Sequence, residues 1–329
     1  MRRISGMTIL VLAALLSACA ANPSDQSAFP SLRIGVNPWV GYGPLYIAAE
    51  RGFFAQEGVD VELVNTNYDE GEVALAMKQV DANAMVFSDA VAQAAAGIPL
   101  QLVWVFDNSA GGDVVVGSSD VARPEDLRGK RIGFSYGTFS QLFVSRGLAN
   151  YGLTPDDVTV VNLPQAGIPA ALAAGQIDAG HTVDPYLAET LQNGGHILFT
   201  SADTPGVIVD GLAFQSQVAR ERPEDVQAVV RALAAATQWW LDNPDEGNQL
   251  VARSMGIPPQ DMAGIMSGVR LLSLSDNLTA FSPFTLGDQS LYESARFASE
   301  LFAQSGIIDQ TPDLHQLINS SFVQTLSEN

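Results

Sequence analysis

A strand, a helix and a second strand follow one another within residues 32–64, and this order constrains the fold more than any other feature of the chain. The run at 32–36 is mainly apolar and predicts a buried strand. A Gly-Pro pair at 43–44 predicts the start of a helix, because proline at the first helical position needs no N–H. Residues 59–63 alternate apolar and polar side chains, as strands do. Two strands joined through a helix pair in parallel, so the sequence predicts an α/β protein.

The loop between the first strand and the helix contains Trp39, Gly41 and Tyr42. In parallel sheets, ligands bind beyond the carboxyl ends of the strands, which is where this loop lies. We therefore predict that these three residues belong to a ligand site. Core packing is the ordinary alternative for any single aromatic side chain, but the proline and glycine that flank Trp39 favour the site.

Four stretches resemble the nitrate/sulfonate/taurine group of ABC-transporter solute-binding proteins, a group that includes the binders of thiamine-pyrimidine precursors. They are LRIGVNPWVGYGPLYIAAERGFFAQEGVDVELV (32–64), DNSAGGDVVV (107–116), EDLRGKRIGFSYGT (125–138) and AALAAGQIDAGHTVDPY (170–186). The resemblance implies a type II periplasmic-binding-protein fold, with two α/β lobes joined by two crossovers. It also implies a small-molecule ligand, an ABC permease and its ATPase as partners, and neither catalysis nor a cofactor.

The pattern along the chain predicts where each lobe begins and ends. Residues 31–113 and 212–329 are assigned to lobe 1, and residues 114–211 to lobe 2. After about residue 214 only helical patterns follow, as expected for a helical C-terminal part that returns to lobe 1. The crossings are predicted at 112–116 and 209–214, because extended segments beside glycine suit a hinge.

An internal echo supports two lobes of similar construction. Residues 74–82 and 171–179 match at a constant offset, and in both copies a predicted helix leads into a predicted strand. Alanine-rich helices that lead into strands look alike in any case, which is the alternative explanation. Because the order of the flanking elements also agrees, we expect shared lobe architecture.

The N-terminus has the pattern of a bacterial lipoprotein. Two arginines precede the apolar segment 7–16, which is too short to span a bilayer. The sequence LSAC at 16–19 has the form of a lipobox. We therefore predict a lipoprotein signal peptide at 1–18, a lipid anchor on Cys19 and a tether at 19–30, which places the protein in the periplasm or at the cell surface. An ordinary secretory signal with an incidental thiol is the alternative.

Composition narrows the possible partners. The chain has 16 Lys and Arg against 36 Asp and Glu, a formal net charge of −20, so it is not expected to bind nucleic acid. An anionic ligand stays possible, because screening at physiological salt acts over about 8 Å and local donors decide. Cys19 is the only cysteine, so a disulfide within the chain and a cysteine-based zinc site are excluded. We expect a monomer.

A possible anion site follows the strand predicted at 131–134. Its members are Tyr136, Gly137, Thr138 and Ser140. Free backbone N–H groups at a helix start attract anions, and the two hydroxyls add donors. Plain capping of the helix is the alternative, and no Gly-Lys-Ser/Thr sequence makes this a nucleotide-binding loop.

Several acidic residues are candidates for binding a ligand that carries a positive charge or N–H donors. Asp89 with Ser88, Asp113 and Asp184 lie at predicted strand or helix ends, where carboxylates can receive an amine or polarised N–H groups. Asp89 and Asp184 are equally well explained as helix N-caps. In that case the helix after Asp89 would begin at residue 90. Asp113 has the alternative of binding backbone within the hinge.

Hydrolytic and metal chemistry find no support in the sequence. Gly-x-Ser-x-Gly and His-Glu-x-x-His are absent, and the three histidines, His181, His196 and His315, share no ligand-like spacing. We expect no metal site and a structural role for His181. The one competing enzyme class is the fungal pyrimidine synthase, which resembles these binders. Those synthases have a cysteine-rich motif that is absent here. They are also cytosolic, whereas the signal segment of this chain predicts export.

The ligand class stays open at this point. Neutral donors at 135–140 favour an oxyanion such as an organosulfonate or taurine, which we place slightly first. The aromatic and acidic candidates favour a nitrogen heterocycle, such as a thiamine pyrimidine precursor or riboflavin, whereas nitrate or bicarbonate would call for a smaller pocket. The sequence also does not distinguish a transporter subunit from a tethered sensor. In either case we expect Trp39 and Thr138 to face each other across a cleft.

Overall fold

The computed structural model describes residues 30–327 of the chain. The predicted signal peptide, Cys19 and all of the predicted tether except Pro30 lie outside the described residues. No helix in the described range is both long enough and apolar enough to cross a membrane.

Eleven strands are found in the described range. They are β1 Leu32–Val36, β2 Val61–Asn65, β3 Ala82–Val86, β4 Leu100–Ser109, β5 Val114–Gly117, β6 Arg131–Phe134, β7 Thr159–Asn162, β8 Ala179–Thr182, β9 His196–Thr200, β10 Val209–Gln215 and β11 Val269–Leu271.

Fifteen α-helices accompany them over the same range. They are α1 Gly43–Glu50, α2 Phe53–Gln56, α3 Tyr68–Ala76, α4 Phe87–Ala95, α5 Phe139–Asn150, α6 Ile168–Ala173, α7 Tyr186–Gln192, α8 Ser216–Glu221, α9 Pro223–Asp242, α10 Pro244–Met255, α11 Pro259–Met266, α12 Leu274–Ala280, α13 Leu291–Gln304, α14 Leu314–Leu317 and α15 Ser321–Gln324.

The strands form two sheets, so the predicted two-sheet α/β class is confirmed. The first sheet has the order β11-β4-β10-β3-β1-β2 and the second the order β7-β6-β8-β5-β9. In the first sheet β1 pairs in parallel with β2 and β3, and β10 then runs antiparallel to β3. In the second, β6 pairs in parallel with β7 and β8, and β5 runs antiparallel to β8. The two sheets therefore repeat one arrangement.

The echo in the sequence marks equivalent places in the two sheets. Asp81 precedes β3 and accepts the backbone N–H of Arg33 at 2.8 Å, while Asp178 precedes β8 and accepts that of Arg131 at 2.8 Å. In each case the aspartate returns a backbone N–H to the arginine carbonyl, also at 2.8 Å. This reciprocal pair ties the two parallel strands together where they begin. The shared construction predicted from residues 74–82 and 171–179 is confirmed.

The chain crosses between the sheets at 110–113 and again at 201–208. The second crossing comes earlier than the predicted 209–214, because β10 pairs along its whole length with β4 in the first sheet. Ser201 lies in this crossing, and its Oγ receives the N–H of Gly111 at 2.7 Å and that of Asp113 at 3.3 Å. It also contacts Oγ of Ser109 at 2.7 Å. One hydroxyl thus joins the two crossings.

The C-terminal part is helical as predicted, with two local differences. Helix α11 ends at Met266, and β11 then pairs antiparallel with β4 at the sheet edge. A strand of three residues is too short to show an alternating pattern. Its pairing cannot be predicted either, because β4 lies far away in the chain. Helix α12 was also not predicted, although Ser273 and Asp276 form a capping box at its start.

Two of the tryptophans belong to the core. Trp104 lies in β4 and Trp240 in α9, and both are fully buried, as their apolar surroundings in the sequence predict. The adjacent Trp239 is covered by the guanidinium of Arg51, which lies 4.0 Å from the ring centroid. The aromatic side chains available to a ligand therefore lie elsewhere.

Candidate functional site

A cleft of about 350 Å³ opens where the carboxyl ends of the parallel strands of both sheets meet. Its walls come from the segments that follow β1, β2, β6, β7 and β8, from the last residue of β3, and from residues at or beside the two crossings. The lining residues are Asn37, Pro38, Trp39, Tyr42, Asn67, Tyr68, Asp69, Val86, Asp113, Ser135, Thr138, Phe139, Ser140, Pro164, Gln165, Ala166, Val183, Asp184, Pro185, Tyr186, Ile208 and Asp210. A cleft of this size accommodates a small organic molecule.

The structure brings six of the predicted site residues to this cleft. They are Trp39, Tyr42, Asp113, Thr138, Ser140 and Asp184. Trp39 and Thr138 come from different sheets and line the same space, as predicted. That these residues bind a ligand stays a prediction. The other five predicted residues, Gly41, Ser88, Asp89, Tyr136 and Gly137, do not line the cleft.

Tyr136 and Gly137 serve the loop itself. Tyr136 is 47% exposed, and its hydroxyl donates to the carbonyl of Ser305 at 3.1 Å, beside the end of α13. Gly137 has a φ of 84°, a conformation that suits glycine, and its N–H donates to Oε1 of Gln141 at 3.0 Å. Both groups are therefore engaged outside the cleft.

Gly41 supports the cleft from behind. A side chain at this position would overlap the carboxylate of Asp107 and the indole nitrogen of Trp39. Its lack of a Cβ lets Nε1 of Trp39 donate to both oxygens of Asp107 at 3.2 Å. Gly41 thus fixes the orientation of the indole ring.

Ser88 and Asp89 are not N-caps, because α4 already begins at Phe87. Asp89 lies in the first turn, is buried, and accepts the Tyr68 hydroxyl at 2.6 Å and the backbone N–H of Phe139 at 2.7 Å. Ser88 is buried beside it, with Oγ at 3.4 Å from the Asp89 carboxylate. Burial raises the pKa of Asp89 to about 6, against the lowering effect of these hydrogen bonds.

The first three backbone N–H groups of α5 all have acceptors within the protein. Thr138 is the N-cap and accepts the N–H of Ser140 at 3.2 Å, and its carbonyl accepts that of Gln141 at 3.0 Å. The Phe139 N–H goes to Asp89. The expectation of free backbone donors for an anion at this helix start is therefore wrong for these three N–H groups.

Ser140, His181 and Asp113 form a hydrogen-bonded chain at the cleft wall. Nε2 of His181 lies 2.8 Å from Oδ1 of Asp113, and Nδ1 lies 2.5 Å from Oγ of Ser140. A carboxylate only accepts, so in the neutral imidazole the hydrogen sits on Nε2 and Nδ1 accepts the Ser140 hydrogen. Oγ of Ser140 is then left with lone pairs, and it can accept a hydrogen bond from a ligand.

The same three residue types occur in serine hydrolases, but the surroundings here do not suit acyl transfer. Acyl transfer needs backbone donors beside the nucleophile to stabilise the oxyanion. The backbone N–H groups of Phe139, Ser140 and Gln141 all have acceptors within the protein. His181 is completely buried between the rings of Phe139 and Phe143, in keeping with the predicted structural role.

A pair of buried aspartates lies beneath the aromatic residues of lobe 1. Asp210 of β10 accepts the Tyr42 hydroxyl at 2.5 Å and is paired in register with Asp107 of β4. Burial raises the pKa of Asp210 to about 8, and burial together with the charge of Asp210 raises that of Asp107. Burial, followed by the charge of Asp210, also raises the pKa of Tyr42. No cation faces these groups among the described residues that line the cleft.

The charge of the lining has one sign. Asp69, Asp113, Asp184 and Asp210 contribute carboxyl groups, whereas the lining includes neither Lys, Arg nor His. Partial burial raises the pKa of Asp184, with Ala188 N–H opposing the shift. Such a cleft suits a ligand that brings positive charge or N–H donors.

Sequence reasoning missed several residues of the cleft. Tyr68 and Phe139 begin helices directly after a loop, and Gln165 and Tyr186 follow strands of the second sheet. Asp210 had a visible signal, because it is a single acid in the apolar run VIVDGLAF. In the part of the chain that the structure describes, no group of three or more His, Cys, Asp or Glu side chains could hold a metal ion.

The model of the NMT1/THI5 like family matches residues 39–247, which is more than half of the chain. The chain belongs to the NMT1/THI5-like family. The matched region of this NMT1/THI5-like protein contains all residues that line the cleft except Asn37 and Pro38.

Known binding proteins are similar to it over most of their length. The taurine-binding periplasmic protein of Escherichia coli (strain K12) is 25% identical over 85% of this chain and 89% of its own length. A putative aliphatic sulfonates-binding protein of Bacillus subtilis (strain 168) is 24% identical over 98% and 97%. The crystal structure of the periplasmic aliphatic sulphonate binding protein SsuA from Escherichia coli aligns with a TM-score of 0.71 at 21% identity, over 89% of this chain and 93% of that one. The NMT1/THI5-like chain thus has the fold of the periplasmic binding proteins.

Proposed function

We propose that this NMT1/THI5-like protein is an extracytoplasmic solute-binding protein, which closes on a small organic ligand and delivers it to an ABC importer. The fold, the cleft and the binding proteins it resembles support this assignment. Closure would bring the two lobes together around the ligand, and the closed form would dock on the permease. The ATPase of the importer would supply the energy, and the cleft would perform no chemistry.

The observation that carries the choice of ligand is the set of carboxyl groups without a cation in the cleft lining. Buried carboxyl groups are stabilised when a cation or several N–H donors reach them. Trp39, Tyr68 and Tyr186 add aromatic surface, which binds cations and flat rings. We therefore assign to the cleft an organic ligand with an amine, an amidine or a nitrogen heterocycle.

An organosulfonate is the second candidate, and it is supported by the names of the similar binding proteins. Neutral donors for a sulfonate exist in the lining, among them the side-chain amides of Asn37 and Gln165. An aminosulfonate such as taurine would satisfy both parts, with its ammonium on the carboxylates. A sulfonate without an amine would bring no positive charge to the four lining aspartates.

The lipid anchor on Cys19 belongs to the same proposal. Two or three acyl chains hold a protein stably on a membrane, where a single chain does not. The tether would let the lobes reach the permease from the membrane surface. The enzyme alternative is weaker, because the cysteine-rich motif of the pyrimidine synthases is absent from the sequence.

A thermal-shift screen of the mature chain tests the proposal. The probes are aminopyrimidines, thiamine, riboflavin, taurine, ethanesulfonate, nitrate and bicarbonate. A true ligand at 100 times its dissociation constant should stabilise the protein by roughly 2.7 kcal/mol. We expect nitrogen-bearing organic probes to rank first, taurine next and ethanesulfonate last. Binding of ethanesulfonate or nitrate without any response to the nitrogen-bearing probes would contradict the assigned ligand class.

A further inference from the structure

A carboxylate of the protein itself occupies the start of α5. Asp89 belongs to α4, next to the first sheet, whereas Phe139 begins α5, next to the second. The 2.7 Å hydrogen bond between the Asp89 carboxylate and the Phe139 N–H therefore spans the two halves of the molecule. Helix starts attract anions because their N–H groups and the helix dipole point outward. Here the protein supplies the anion.

The surroundings of Asp89 are built to hold a negative group. Tyr68 donates its hydroxyl at 2.6 Å, Phe139 its N–H at 2.7 Å, and Oγ of Ser88 lies at 3.4 Å. Asp89 itself is 3% exposed, so water does not compete with these three donors. The pocket of donors belongs to the wall of the cleft, because Tyr68 and Phe139 both line it.

One further acid faces the same group. Burial, followed by the charge of Asp89, raises the pKa of the Glu72 carboxyl in α3. The site therefore holds one negative charge in preference to two. No lysine, arginine or histidine contacts the Asp89 carboxylate in the described part of the chain.

We propose that Asp89 is a specificity-determining residue, which acts as a resident anion and keeps external oxyanions away from the start of α5. It occupies the backbone donor that an oxyanion would use, and its charge repels an anion at the adjoining cleft wall. The inference rests on the proposed function, in that the cleft is taken as the ligand site, and it explains why this cleft would prefer nitrogen-bearing ligands to simple sulfonates.

Chemical rescue tests the resident anion without any knowledge of the natural ligand. The variant Asp89→Ala leaves three donors around the space of one carboxylate. We expect formate to raise its melting temperature by several degrees, while the wild type does not respond. Asp210→Ala is the matched control, because it also removes a buried carboxyl but leaves a single hydroxyl donor beside Asp107. Equal responses to formate in Asp89→Ala, the control and the wild type would overturn the inference.

Calorimetry with ethanesulfonate tests the effect on specificity. We expect the affinity of Asp89→Ala to exceed that of the wild type at least tenfold. Asp89→Asn keeps the shape and an acceptor for the Phe139 N–H but removes the charge, so it should fold in any case and show an intermediate affinity. Unchanged ethanesulfonate affinity in both variants would overturn the inference. The proposed function is tested separately, in the wild type with nitrogen-bearing ligands, so the two failures are distinguishable.

Discussion

The Tyr42 hydroxyl donates to Oδ1 of Asp210 over 2.5 Å, and the two side chains join the segment after β1 to β10, 168 residues later. Tyr42 is 1% and Asp210 2% exposed. The phenol is a neutral partner, so it does not compensate a full negative charge as a cation would. The surroundings of Asp210 therefore favour the protonated carboxyl over the carboxylate.

This relationship predicts the pH dependence of stability. The pKa of Asp210 is about 8 in the folded protein and about 4 when unfolded. Its stabilising contribution is therefore complete below pH 4 and is lost as the pH rises toward 8. Asp210→Asn cannot ionise, so the free energy of unfolding should fall less steeply over this range, by roughly 1 kcal/mol per pH unit. Urea unfolding at several pH values measures the free energy of unfolding of both proteins.

The neighbouring Asp107 keeps part of the pH dependence in that variant, because its pKa is also raised by burial. Asp120→Asn changes an exposed acid and serves as the control. Parallel pH profiles for Asp210→Asn and the wild type would show that Asp210 is ionised throughout.

Trp39 should contribute binding affinity through both its ring and its N–H. Trp39→Ala removes the aromatic wall and the donor to Asp107, and we expect the affinity for the ligand identified in the screen to fall by 10-fold or more, as about 1–2 kcal/mol of ring contact would predict. Trp39→Phe keeps a ring and should lose less. Isothermal calorimetry gives both values.

Trp239→Phe is the matched control, because this indole packs beneath Arg51 and does not line the cleft. Its affinity should equal that of the wild type. An unchanged affinity in Trp39→Ala would remove the indole from the ligand site.

The chain from Asp113 through His181 to Ser140 predicts a single tautomer of the imidazole. Nitrogen NMR should find the hydrogen on Nε2, because Asp113 accepts there at 2.8 Å. Ser140→Ala removes the acceptor that faces the cleft, and we expect roughly tenfold weaker binding of a ligand that donates an N–H to it. A hydrogen on Nδ1 in the wild type would instead make Oγ of Ser140 accept from the imidazole and would free the Ser140 hydrogen to donate to a ligand.

Two helical glycines should respond to alanine in opposite directions. In α5 a Cβ on Gly147 would overlap the ring of Phe199, whereas the space around Gly264 in α11 is open. Gly147→Ala should therefore lower the free energy of unfolding by about 1–3 kcal/mol. Gly264→Ala should raise it by up to about 1 kcal/mol, as alanine does in a helix. Denaturant unfolding compares them, and stabilisation by both would show that Phe199 can move aside.

Cys19 should decide whether the protein stays with the membrane. Cys19→Ser removes the only thiol to which a diacylglyceryl group could be attached. We expect the wild type in the membrane fraction and the variant in the soluble extracytoplasmic fraction. Fractionation followed by mass spectrometry of the N-terminal peptide provides the measurement. An equal distribution of both forms would favour an ordinary secretory signal.

The parts of the fold that local chemistry decides could be predicted from the sequence. Proline and glycine mark the start of α1, and the apolar run at β1 marks a buried strand. The start of α4 could not be predicted, because Ser88 and Asp89 resemble a cap. In the folded protein Asp89 instead binds Tyr68 and the Phe139 N–H, 50 residues away.

The site was predictable only where it follows a strand end. Trp39 and Thr138 both follow this rule and reach the same cleft. Asp210 was missed because it lies inside a strand, and its meaning depends on Tyr42, which no local pattern connects to it. The pairing of β11 with β4 could not be predicted for the same reason, because the two strands are far apart in the sequence.

Through one hydroxyl, Ser201 binds Gly111 and Asp113 of the other crossing and Ser109 at the end of β4. If one crossing bent while the other kept its conformation, the hydrogen bonds of Ser201 would break. We therefore expect the two segments to act as one hinge, so that opening of the cleft would be a rotation about Ser201 and not a sliding of one sheet past the other. A substitution at Ser201 would change how fast solute enters and leaves, while the walls that recognise it keep their composition.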